Sequence, residues 1–111
     1  MASSGLRGPF SLSGPSILSS VTNYGPGAYA LGRTEGNTFL ISYVGRSDTD
    51  VATRLQNWVG TYNEFKFDYF PSAQAAFEKE CNLYHDFSPP DNTIHPAKPE
   101  GGYRLCLRCG C

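Results

Sequence analysis

The clearest alternation of apolar and polar positions runs through EFKFDYF, residues 64–70. Phe65, Phe67 and Tyr69 point one way and Glu64, Lys66 and Asp68 the other, the period-two pattern of a half-buried strand. Two more strand candidates, GAYALGR at 27–33 and TFLISYVG at 38–45, flank TEGN at 34–37. Gly36 can adopt positive φ there, so the pair reads as a hairpin. With the turn centred on Gly36, Tyr29 falls directly opposite Tyr43, placing two phenols on one sheet face.

Helical spacing takes over in SDTDVATRLQNWVG, residues 47–60. Ser47 or Asp48 can cap this helix, and Ser47 with Asp50 resembles a capping box. Val51, Leu55 and Trp58 form its apolar stripe, and Arg54 lies beside the stripe, one turn after Asp50. A second helix, AQAAFEKECNLYH at 73–85, opens after Pro71 and Ser72 and is stopped by Pro89 and Pro90. At about 100° per residue, Ala73, Ala76, Phe77, Leu83 and Tyr84 share one face. Glu80 projects near the centre of that face, while Glu78 points to solvent. An ionised carboxylate buried without a partner is costly. An arginine, a hydrogen-bond network or a metal must therefore meet Glu80.

The order of elements is strand, strand, helix, strand, helix. It predicts an α+β fold with a small three-stranded, mainly antiparallel sheet flanked by helices. Residues 1–24 are rich in Ser, Gly and Pro and read as a partly flexible arm with one short packed segment at Ile17–Val21. Residues 25–93 form the domain, and 94–111 an irregular tail that contains cysteines and packs on or beside it.

Composition narrows the picture. The chain of 111 residues is long enough for one small core. Hydrophobic residues make up 40% and charged ones 17%, which excludes a disordered chain. A net charge of −1 gives no global field toward a polyanion, so any such site is a local patch. No apolar run approaches the roughly 18 residues of a membrane helix. The start lacks the basic and apolar parts of a secretory signal, so a cytoplasmic or nucleoid-associated protein with reduced thiols is expected.

The elements carry GAY at 27–29 and YVG at 43–45, then arginine in ATRL, glutamate in FEKECNL and asparagine in PPDN. This ordered set resembles the GIY-YIG nuclease family over roughly residues 25–93. ECNLYHDFSPPDN is similar, without a gap, to the glutamate-to-asparagine segment of the family's excision-repair members. YVGRSDTDVATRL is similar to their YVG-to-arginine segment with one extra residue.

The resemblance implies a metal-dependent endonuclease that hydrolyses phosphodiester bonds in DNA, ahead of RNA, with Mg²⁺ or Mn²⁺. It makes Glu80 the metal ligand and puts Arg54 on the scissile phosphate. Tyr29 and Tyr43 stand beside the attacking water, and Asn92 shapes the site. Arg46, directly after YVG, is a substrate-binding helper. The residue types suit that chemistry. One carboxylate with waters and phosphate oxygens can hold Mg²⁺, and a guanidinium fork fits two phosphate oxygens. With no histidine in the set, Tyr29 is the candidate base, its ionisation eased by the metal, Arg54 or Arg46.

Each residue also has a plain structural reading. Glu80 can pair with Arg54 alone, Arg54 can pair with Asp50 along the helix, and Tyr29 and Tyr43 can be a simple aromatic pair. Asn92 can be a turn residue. His85 lies about 120° from the stripe centre and reads as solvent-facing, and His95 reads as loop. In the tail, Cys106, Cys109 and Cys111 can build a structural Zn²⁺ site with His95 or Cys81, and Arg104 and Arg108 stand beside it. Beside the nuclease stand two other classes: a catalytically silent nucleic-acid or protein-binding module, and a partner-dependent nuclease subunit or toxin. A protein partner or a homodimer is compatible with either.

Overall fold

Phe65 and Phe67 do bury on one side of their strand, and the sheet assembles around them. The computed structural model describes residues 4–92 and 96. In chain order the elements are β1 (Arg7–Ser11), α1 (Gly14–Ser20), β2 (Gly27–Glu35), β3 (Thr38–Ser47), α2 (Val51–Gln56), β4 (Glu64–Tyr69) and α3 (Ala73–Phe87). The fold is α+β, with one antiparallel sheet in the order β1-β4-β2-β3. The sheet has four strands where three were expected. The added strand and helix come from residues 7–20, inside the stretch read as an arm. Ser13 caps α1 by accepting the N–H of Ser16, with Pro15 in the first turn, a common helix opening.

Strand alternation sorts the core into two layers. Tyr29 and Leu31 of β2 and Phe65 and Phe67 of β4 pack with Ile17 of α1 and Val51 and Leu55 of α2. Ala30 of β2 and Val44 of β3 pack instead with Leu83 of α3. The short helices α1 and α2 thus cover one face and α3 the other. Arg46, two residues after Val44, points toward α3.

The hairpin corrects the expected pairing of the tyrosines. Its turn is the two-residue Gly36-Asn37, closed by Glu35 opposite Thr38, with Gly36 at φ 59. A bulge follows, because Leu31 faces Tyr43 while Gly32 faces Ile41, leaving Ser42 as the extra residue. Tyr29 therefore lies opposite Gly45, and Tyr43 opposite Leu31. The two phenols share a face as diagonal neighbours, which aromatic side chains still span.

Two further local differences bear on the cleft. Asp50, not Ser47 or Asp48, caps α2, taking the N–H of Thr53. The Ser47 hydroxyl instead accepts the N–H groups of Thr49 and Asp50 and turns the chain into that cap. The helix ends at Gln56, so Trp58 sits in the turn beyond it rather than on its stripe.

Candidate functional site

Beside edge strand β3, a cleft of about 820 Å³ opens between α2, α3 and the segment after α3, room for a nucleotide-sized group. Tyr29, Tyr43, Arg46, Arg54, Glu80 and Asn92 all line it. The six residues singled out from the sequence thus meet in one place, brought there from two strands, two helices and a loop.

The two motif glycines have a steric cause. A Cβ on Gly45 would stand 2.6 Å from Tyr29 Cζ and Oη, and one on Gly27 would stand 2.9 Å from Val51 Cβ. Gly45 lets the Tyr29 ring lie flat on β3, and Gly27 lets α2 seat on β2. Gly45→Ala therefore lowers stability by about 2 kcal/mol, as overpacked cores do, and chemical denaturation measures the loss.

Tyr29 is only 2% exposed, and its hydroxyl accepts a hydrogen bond from the Trp58 indole Nε1 at 2.9 Å. Burial pushes its pKa far above that of a free tyrosine, and the bond from Trp58 offsets this only in part. Burial thus disfavours the phenolate form of Tyr29. Its own O–H finds no acceptor among the described residues and is left for a molecule in the cleft. Trp58 also packs its ring on Tyr43, centroids 4.8 Å apart. Tyr43 is half-buried; burial and the Glu80 charge raise its pKa, and Arg54 pulls it back. Tyr29→Phe leaves the Trp58 donor without its partner and costs about 1–2 kcal/mol; Trp58 fluorescence along a urea titration reads it out.

Trp58 was not among the sequence candidates, because its spacing from Leu55 made it look like ordinary core. Tyr62 was not among the sequence candidates either. It follows Trp58 in the aromatic row, centroids 6.2 Å apart, and donates its hydroxyl to Asp91 Oδ2 at 2.6 Å. Burial, then that bond to the carboxylate, raises its pKa to about 12.

Glu80 is buried, as its position on the apolar face required. Among the described residues it pairs with Arg46, not Arg54: Nη1 donates to Oε1 at 2.7 Å. Arg46 Nε also donates to Asp48 Oδ1 at 2.7 Å, and the guanidinium lies 5.2 Å from the centroid of the Phe77 ring. Burial disfavours the charge, but these two carboxylates outweigh it and raise the Arg46 pKa. Arg54 stands apart. Of the four described arginines it alone has no carboxylate within 4.0 Å, Asp50 included. It is exposed at the cleft wall, its Nε directed at the Arg46 carbonyl 3.5 Å away.

Asn92 closes the strand edge. Its side-chain amide accepts the Val44 N–H at 2.7 Å and donates to the Val44 carbonyl at 3.0 Å. Next to it, the Asp91 N–H reaches the carbonyl of the bulged Ser42 at 2.9 Å. The bulge thus frees a backbone oxygen for the segment that carries Asn92.

Among the described residues no group of three His, Cys, Asp or Glu side chains converges as a cation cage. Glu80 still suits a hard divalent cation. A single carboxylate at the wall of a cleft with room for waters and phosphate oxygens is a donor set that Mg²⁺ accepts. Cys106, Cys109, Cys111 and His95, the candidate Zn²⁺ ligands, lie outside the described residues, as do Arg104 and Arg108. Cys81 is buried beside Phe77 in α3. His85 is half-buried rather than solvent-facing, its ring edge-on to Tyr84 at 5.3 Å.

No helix among the described residues is long and apolar enough to cross a membrane. Compared with protein-family models, curated proteins and solved structures, the chain finds no match.

Proposed function

We propose that the protein is a metal-dependent endonuclease of the GIY-YIG type that hydrolyses phosphodiester bonds in DNA. One observation carries this: a single cleft holds an arginine with no carboxylate partner among the described residues, a buried carboxylate and two tyrosines. An unneutralised guanidinium is a receptor for phosphate. The Glu80 carboxylate is held by Arg46, and where that guanidinium turns to a phosphate instead, the carboxylate can take a divalent cation.

In this scheme Arg54 grips the non-bridging oxygens of the scissile phosphate. Glu80 would hold Mg²⁺ or Mn²⁺, which when bound would neutralise charge on the phosphoryl group and the leaving oxygen. The Tyr29 hydroxyl is fixed by Trp58 and aims its proton into the cleft, so it orients the attacking water rather than deprotonating it. Tyr43, nearer solvent and beside Arg54, borders the same water. Water adds to phosphorus, the P–O bond to the leaving strand breaks, and the proton the water gives up passes through solvent in the open cleft to the leaving oxygen, so that strand departs with a hydroxyl. Asn92 keeps β3, and with it Tyr43 and Arg46, in register.

A second reading has its own support. Three of the four described arginines are already neutralised by carboxylates, and the net charge is −1. Duplex binding needs several phosphate contacts, so a partner protein that supplies substrate affinity fits this surface.

The test is cleavage of labelled single-stranded, duplex and branched DNA and of RNA, with Mg²⁺, Mn²⁺ or chelator. Metal-dependent cutting of DNA by the isolated chain is the expected result. Binding without cutting under every metal condition would discard the enzyme and leave the binding module or the partner-dependent subunit.

A further inference from the structure

We propose that Arg46 guards the Glu80 carboxylate, so that a divalent cation and a phosphate enter the cleft cooperatively. The inference rests on the reading of Glu80 as a cation ligand. Arg46 bridges two acids on different segments: Asp48, just after β3, and Glu80 in α3. The Glu80 side chain is 10% exposed and that of Asp48 40%, so the bridge has a buried end and a wet end. At the buried end Nη1 occupies Oε1 at 2.7 Å. A cation approaching that oxygen meets a guanidinium already on it, and two positive charges sharing one carboxylate oxygen repel.

The wet end supplies the way out. Arg46 can leave Glu80 while Nε keeps Asp48, turning its fork toward the cleft. In an empty cleft that move strands a guanidinium without its second acceptor. With a phosphodiester present, phosphate oxygens replace Glu80 as acceptors. Phosphate thus releases Glu80 for the cation, and the cation, by linkage, strengthens phosphate binding by the same factor. Arg54 is the fixed receptor for the phosphate and Arg46 the movable one.

The experiment is titration of the full chain with Mn²⁺, free Mn²⁺ being read by its EPR signal, with and without a short phosphorothioate DNA that resists cutting. Wild type binds Mn²⁺ about tenfold more tightly with the DNA present, within the usual range of coupling between sites. Arg46→Met binds Mn²⁺ about tenfold more tightly than wild type without DNA, and the DNA then adds little. Arg46→Gln keeps a hydrogen bond to Glu80 without the charge and moves the same way, which covers a folding failure of the first variant. Arg54→Met removes the same charge from the same cleft but not from Glu80, and tightens Mn²⁺ far less. If neither Arg46 variant gains affinity while Glu80→Gln loses it, the cation site stands and the guard is overturned. If Glu80→Gln binds Mn²⁺ like wild type, or no protein binds it even with DNA, the cation reading fails and the guard with it.

Discussion

Glu80→Gln lowers metal-dependent cleavage about a thousandfold while the protein stays folded. The amide is nearly isosteric with the carboxylate, and its oxygen still accepts from Arg46 Nη1, while Arg46 Nε keeps Asp48. What is lost, on the proposed reading, is the negative charge that would hold a cation against the phosphate. Glu80→Ala separates the two roles. It empties the space beside a guanidinium that is 12% exposed and removes one of its two acceptors. That variant loses both cleavage and about 1–3 kcal/mol of stability. Cleavage rates with Mn²⁺, set beside a thermal melt of each variant, make the comparison. Wild-type cleavage by Glu80→Gln would remove Glu80 from the chemistry and leave it as the structural partner of Arg46.

Arg54→Ala is the converse case, with a large effect on rate and almost none on stability. The side chain is exposed, and its one side-chain hydrogen bond among the described residues is the weak one to a backbone carbonyl. Its removal leaves the melting temperature nearly unchanged. With Arg54 as the proposed phosphate receptor, its loss is expected to lower kcat/KM about a hundredfold. Arg54→Lys restores part of this, since an ammonium supplies the charge without the planar fork. DNA binding by the alanine variant also depends less on salt, the slope of log K against log salt falling by about one. A variant that binds and cuts DNA as wild type does would place the phosphate elsewhere.

These effects follow from residues that differ in how openly the sequence displays them. Glu80 was conspicuous, because a carboxylate on an apolar helical face demands a partner. The identity of that partner was hidden. Arg46 and Arg54 both follow YVG closely, and only the alternation of β3 turns Arg46 toward α3. The hairpin was legible, yet its register was not. A two-residue turn plus a bulge at Ser42 shifts the pairing, and a bulge leaves no mark in the apolar pattern. Strand β1 was illegible because RGPFS carries Gly and Pro, which disguise a strand on a sheet edge. By contrast Ser13 and Pro15 announce α1 in the usual way, so that helix was open to a closer look. Trp58 shows the opposite limit. Its helical spacing from Leu55 was real, but the helix stops first, and the freed indole reaches Tyr29.

The amide of Asn92 does to one edge of the sheet what another strand would do. It occupies the N–H and carbonyl of Val44, and Asp91 takes the carbonyl of Ser42. A bare edge strand is a template onto which a foreign chain can zip, the first step of aggregation. Here the template is interrupted midway, beside the cleft, by Asp91 and Asn92. On the far edge, Pro9 in β1 has no amide hydrogen to offer a newcomer. The residue that steadies the cleft therefore also helps keep the protein dispersed. Asn92→Ala, besides loosening β3, should make concentrated solutions cloud sooner than those of the parent chain.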